Sequence, residues 1–111
     1  MKAEKFGFLA AVTVCISMGF AVPGHAEDQS IIVQSTTSTQ NSGLFDHILP
    51  MFEKTSGIKV NVVAVGTGQA IKNARNCDGD VLFVHAKPAE EKFVSDGYGV
   101  KRFDVMYNDF V

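Results

Sequence analysis

Five hydroxyl residues in succession, Ser35-Thr36-Thr37-Ser38-Thr39, follow closely on the apolar run Ile31-Ile32-Val33. Hydroxyl groups and the free N–H groups at a helix start both donate hydrogen bonds. Gathered at one point, such donors can hold a small oxyanion. A solvated Ser/Thr loop has the same composition, because these residues also mark turns and caps. A second donor-rich stretch, Gly66-Thr67-Gly68-Gln69, follows another apolar run. Its glycines let backbone approach a ligand closely, and Thr67 adds a hydroxyl at the start of a helix. In the alternative reading Thr67 is only an N-cap and the glycines only turn residues. A dinucleotide fingerprint would need a third glycine where Ile71 stands.

The remaining chemistry-bearing residues form no catalytic pattern. His85 ends the apolar run Val81-Leu82-Phe83-Val84 and is a candidate for ligand contact. His47 lies among apolar helical positions, with no cysteine or second histidine at metal-ligand spacing. Asp78 and Asp80 precede the third apolar run, where carboxylates terminate turns rather than perform acid–base work. No G-x-S-x-G, Ser-His-Asp order or paired carboxylate marks a hydrolase, so a secreted enzyme would have to be assembled from unmarked parts. The sequence asks for no cofactor and no metal.

The elements that must position these residues alternate. Ile31 to Val33 reads as a first strand. Leu44, Ile48, Leu49, Met51 and Phe52 recur at helical spacing after the caps Asn41 and Ser42, with Gly57 as the stop. Pro50 predicts a kink, or a break into two pieces. Lys59 to Val65 is β-branched and bounded by glycines, a second strand. Thr67 is expected to cap a short helix through Ala70, Ile71 and Ala74. Val81 to Val84 reads as a parallel strand buried on both faces. Pro88 opens a helix with Glu90 and Glu91 in its first turn, and Gly97 and Gly99 flank the turn out of it. Val105 to Val111 is expected to be a strand, or a crossover entering one. The order β-α-β-α-β-α-β predicts a mostly parallel sheet with helices on both faces, and a ligand beyond the carboxyl ends of its strands.

Lys2 and Lys5 precede the almost wholly apolar stretch Phe6 to Val22, closed by Pro23-Gly24-His25-Ala26. This is the pattern of a cleavable secretory signal over residues 1–26, and its 17-residue apolar run is short for a membrane span. Val14 before Cys15 argues against a lipoprotein cut, which wants a small residue there. Cys77 is then the only cysteine of the mature part and cannot form an internal disulfide. The signal carries two lysines and one glutamate, so the net charge of −2 becomes −3 for residues 27–111. An acidic chain with no basic stripe is not expected to bind nucleic acid. Residues 27–111 suffice for one small α/β core, and the apolar end at Val111 leads us to expect a piece of a longer protein.

Four blocks in order make these readings specific. They are Ser35 to Leu44, Val63-Ala64-Val65-Gly66-Thr67-Gly68-Gln69-Ala70, Asp80-Val81-Leu82-Phe83-Val84-His85 and Met106-Tyr107-Asn108-Asp109-Phe110-Val111. Together they resemble the tungstate-binding proteins of bacterial ABC importers, two-lobed periplasmic binding proteins of the type that also carries molybdate, sulfate and phosphate. The family's signature of three threonines and a serine maps onto Ser35-Thr36-Thr37-Ser38, with a serine in place of the first threonine. The resemblance implies the first lobe, residues 27–111, of a monomeric periplasmic receptor that passes its anion to a membrane permease. It implies ligand contacts by Ser35, Thr36, Thr37 and Ser38 and by Thr67 and Gly68, with Gln69 and His85 as further candidates. The family's arginine and other second-lobe contacts would lie beyond Val111, and neither Arg75 nor Arg102 matches them. Tungstate and molybdate are fully ionised near neutral pH, so donors alone suit them. Phosphate keeps a proton and wants an acceptor, and neither donor-rich stretch contains an acidic residue.

Overall fold

The structure is a computed structural model that describes residues 29–107. The expected signal over residues 1–26 and the end of the last expected strand lie outside the described residues. The elements run β1 (Ser30–Thr36), α1 (Thr37–Asn41), α2 (Leu44–Ser56), β2 (Lys59–Val65), α3 (Thr67–Arg75), β3 (Val81–Phe83) and α4 (Lys87–Ser95). The three strands form one parallel sheet in the order β2-β1-β3. The chain leaves β1 toward β2 and then crosses to the other side for β3, so the strand order reverses at β1.

The register shows how the helices cover the sheet. Ser35 pairs with Ala64 on one side and with Phe83 on the other, so these side chains share a face. On that face the buried Phe45 of α2 meets Phe83 edge to face, with centroids 5.6 Å apart. Gln34, one residue out of phase, points to the opposite face, where Asn73 Nδ2 of α3 donates to its Oε1 at 3.0 Å. Gln34 Nε2 donates to the Asp78 carbonyl at 2.7 Å, so this buried amide is satisfied at both ends. Gly79 permits that approach, since a Cβ there would stand 2.8 Å from Gln34 Cγ.

Several elements depart from the sequence expectations. β1 does not stop at Val33 but continues through Thr36, because Gln34 and Ser35 find distant hydrogen-bond partners that let them be buried. The hydroxyl run is therefore a strand end and a short helix, not a loop. Asn41 does not cap α2, whereas Ser42 Oγ accepts the N–H of Leu44, the first residue of that helix, at 3.3 Å. Ser42 is the C-cap of α1, and the left-handed Gly43 is the N-cap of α2. α2 runs unbroken through Pro50, whose ring replaces one N–H of the ladder. β3 is an edge strand with Val81 exposed, not a strand covered on both faces, because β1 is its only neighbour among the described residues. Val105 to Tyr107 form no strand, since no partner strand lies beside them among the described residues.

Two helix ends share one solution. After α4, Gly97 at φ 85° sends its N–H to Val94, and Tyr98 sends its N–H to Phe93, whose ring it also packs against. After α3 the same pair of bonds runs from Cys77 to Ala74 and from Asp78 to Asn73. There Cys77 occupies the left-handed position at φ 61°, the only non-glycine to do so among the described residues. Its Cβ crowds the following carbonyl, a cost of about 1 kcal/mol. Cys77→Gly is therefore expected to stabilise the fold by about 1 kcal/mol in urea denaturation. A lower midpoint would show that the exposed thiol side chain contributes packing.

Beyond α4, Glu90 binds two ways. Its Oε1 accepts the Ala86 N–H at 2.7 Å, capping α4, and its Oε2 accepts Arg102 Nε at 2.8 Å. Arg102 also donates to Asp104 at 2.6 Å, and that hydrogen bond holds the Asp104 carboxyl below the usual carboxylate range.

Candidate functional site

All three strands end on one edge, and three donor-bearing turns leave it together. Thr36 pairs with Val65, so Thr37 and Gly66 emerge side by side on strands about 4.8 Å apart. Ser35 pairs with Phe83, which places His85 on the other side of β1, two residues past the end of β3. In open α/β sheets the crevice for a ligand lies where the strand order reverses. Here that point is the carboxyl end of β1.

Thr36 organises the centre. It is the N-cap of α1, extended at φ −112° and ψ 150°, and its Oγ1 accepts the Thr39 N–H at 3.2 Å. Its hydroxyl also lies 2.8 Å from Thr39 Oγ1, 3.1 Å from Ser38 Oγ and 3.4 Å from His85 Nε2. Ser38 Oγ in turn lies 3.1 Å from His85 Nε2. Thr36 is 2% exposed, whereas Thr37, Ser38 and His85 face solvent. The hydroxyls thus stand in two layers, with Thr36 beneath and Ser38 above.

The residues singled out in the sequence separate accordingly. Ser35 is completely buried, and its Oγ donates to the Phe83 carbonyl at 2.6 Å, tying β1 to the edge strand. Its hydroxyl is committed to the sheet and presents no surface. Thr67 is the first residue of α3, not its cap. The N-cap is Gly66, which offers no side-chain acceptor, so the first N–H groups of α3 lack an internal partner. Gln69 turns along α3 and donates to Asn73 at 2.6 Å, away from the hydroxyl cluster. Thr39, the last residue of the hydroxyl run, is half-buried and bonded to Thr36.

Gly66 and Gly68 are informative for what they do not do. Neither has a positive φ, and a Cβ on either would meet nothing within 4 Å. The fold therefore does not require glycine at either place, and glycine inside a helix costs roughly 0.5–1 kcal/mol against alanine. Both leave their backbone open to solvent. Gly68→Ala is expected to stabilise α3 by roughly 0.5–1 kcal/mol while weakening anion binding. Thermal melts and a binding titration on the same sample check both signs. Unchanged binding would leave Gly68 without a role at the site.

The turns carry no fixed charge of either sign. Residues 36–40, 66–69 and 84–86 contain no carboxylate. Asp80 lies at the opposite end of β3, where its Oδ2 accepts the Ile32 N–H at 2.8 Å, so it ties β3 to β1 across the sheet. Arg75 is engaged with Asp96 and the Tyr98 ring, and Arg102 with Glu90 and Asp104, so neither reaches the site. A broad cleft of about 1550 Å³ runs from Ser38 and His85 along β3 to the 98–107 segment, and it does not include Thr67 or Gly68. Ser38, Thr39 and His85 of the donor cluster line one end of this cleft. No group of three metal-ligating side chains occurs among the described residues.

Known proteins resemble this chain in sequence and fold. The PBP superfamily domain matches residues 21–111. The tungstate-binding protein TupA of Peptoclostridium acidaminophilum is 46% identical over 93% of this chain, which spans 41% of that protein's length. Among solved structures, the tungstate-binding protein TupA from Desulfovibrio alaskensis G20 superposes with a TM-score of 0.71 at 48% identity. That match covers 73% of this chain and 32% of the other. The tungstate ABC transporter structure from Geobacter sulfurreducens gives a TM-score of 0.69 at 57% identity, covering 72% of this chain and 34% of its own. With a parallel sheet that reverses at β1 and a match over most of its length, the chain belongs to the PBP superfamily.

Proposed function

We propose that the protein is the periplasmic substrate-binding component of an ABC importer and that it captures tungstate, or the equally charged and tetrahedral molybdate. The observation that carries this reading is the convergence of three donor-bearing turns, without a carboxylate, at the point where the strand order reverses. The names of its relatives support the choice of anion. On this reading Thr37 and Ser38 donate from one side, and Thr67 with the Gly68 amide from the other. Thr36 and Ser35 act beneath them, holding α1 and β3 in place. Residues 1–26 direct export, residues 27–111 form the first lobe, and closure of a second lobe completes the site. The protein then hands its anion to a permease in the membrane and performs no catalysis.

Calorimetric titration with tungstate, molybdate, sulfate and phosphate tests the assignment. Tungstate and molybdate are expected to bind more tightly than sulfate, and phosphate least, because its proton finds no acceptor. Tungstate binding no more tightly than sulfate would overturn it.

A further inference from the structure

We propose that His85 is a positioning residue of the anion site and that it sets the direction in which the Ser38 hydroxyl donates. The inference rests on the oxyanion reading of that edge. A serine hydroxyl has one hydrogen to give. Ser38 Oγ has two polar neighbours, His85 Nε2 and Thr36 Oγ1, both at 3.1 Å. If Nε2 lacks a hydrogen, it competes for the one on Ser38, and none remains for an anion. If Nε2 carries a hydrogen, it donates to Ser38, and the serine hydrogen is free to point outward. Thr36 is less well placed for this role. Its Oγ1 lies farther from Nε2, at 3.4 Å, and its shortest contact, 2.8 Å, is to the Thr39 hydroxyl, where its own hydrogen is best used. The Nε2–H form of His85 is thus the one that leaves the Ser38 hydrogen free.

Two measurements on the full chain test this. Long-range nitrogen–proton NMR of the histidine rings is expected to show His85 as the Nε2–H tautomer near pH 8, with that population falling in Ser38→Ala. An Nδ1–H tautomer overturns the proposal, whether or not any anion binds. Tungstate titration forms the second arm. His85→Gln, whose amide can donate to Ser38, is expected to keep near wild-type affinity, and His85→Leu to bind roughly tenfold more weakly, the loss of one hydrogen bond. Wild-type affinity in His85→Leu would overturn the role. Absence of tungstate binding by wild type would instead overturn the oxyanion reading and leave the tautomer measurement to decide the direction of the hydrogen bond.

Discussion

Thr67→Ala is expected to weaken tungstate binding by about 1–3 kcal/mol, and Thr37→Ala and Ser38→Ala each by a similar amount, the scale for removing a hydrogen bond to a charged partner. The three hydroxyls belong to two different turns, brought side by side by the pairing of Thr36 with Val65. None of the three lies in the core, so truncation should leave the fold intact. Affinity should therefore fall while thermal stability stays near wild type. Equal losses from both turns would argue that one anion bridges them. Unchanged affinity in all three variants would remove these residues from the site.

Phe45→Ala carries the largest expected cost in stability, about 3–5 kcal/mol for a buried phenylalanine. Phe45 is 4% exposed and packs edge to face on Phe83 of the edge strand. β3 pairs with β1 over only three residues, Val33 to Ser35, so this aromatic contact adds to the ladder, the Ser35–Phe83 hydrogen bond and the Asp80–Ile32 bonds that hold it. Domains are stable by only about 5–15 kcal/mol, so the variant should lose a large share of its denaturation midpoint in urea. His85 follows β3 by two residues, and its contact with Ser38 should loosen as well. A midpoint indistinguishable from wild type would mean that α2 does not secure this side of the sheet.

The parallel order of strands and helices was legible because β2, α2 and α4 announce themselves locally, through β-branched residues, apolar periodicity and Pro88. The end of β1 was not. Gln34, Ser35 and Thr36 look like the start of a polar loop, and Gln34 and Ser35 can be buried because their partners lie 39 to 48 residues away. α1 was hidden for a related reason, since serine and threonine are weak helix formers and it starts on the Thr36 cap. The edge position of β3 depends on topology, which a continuous apolar run does not encode. Of the candidate site, both turns and His85 could be marked in advance by their position after strands. Their sorting into buried struts such as Ser35 and exposed donors such as Ser38 required the register.

The claim that the carboxyl edge of β1 and β2 is an oxyanion site is tested most directly by amide NMR of the nitrogen-labelled protein during addition of sodium tungstate. Shifts are expected to concentrate at Thr37, Ser38, Thr67 and Gly68, with those around Asp80 at the opposite edge unmoved. Shifts absent from these four amides, or centred at another edge of the sheet, would contradict the account.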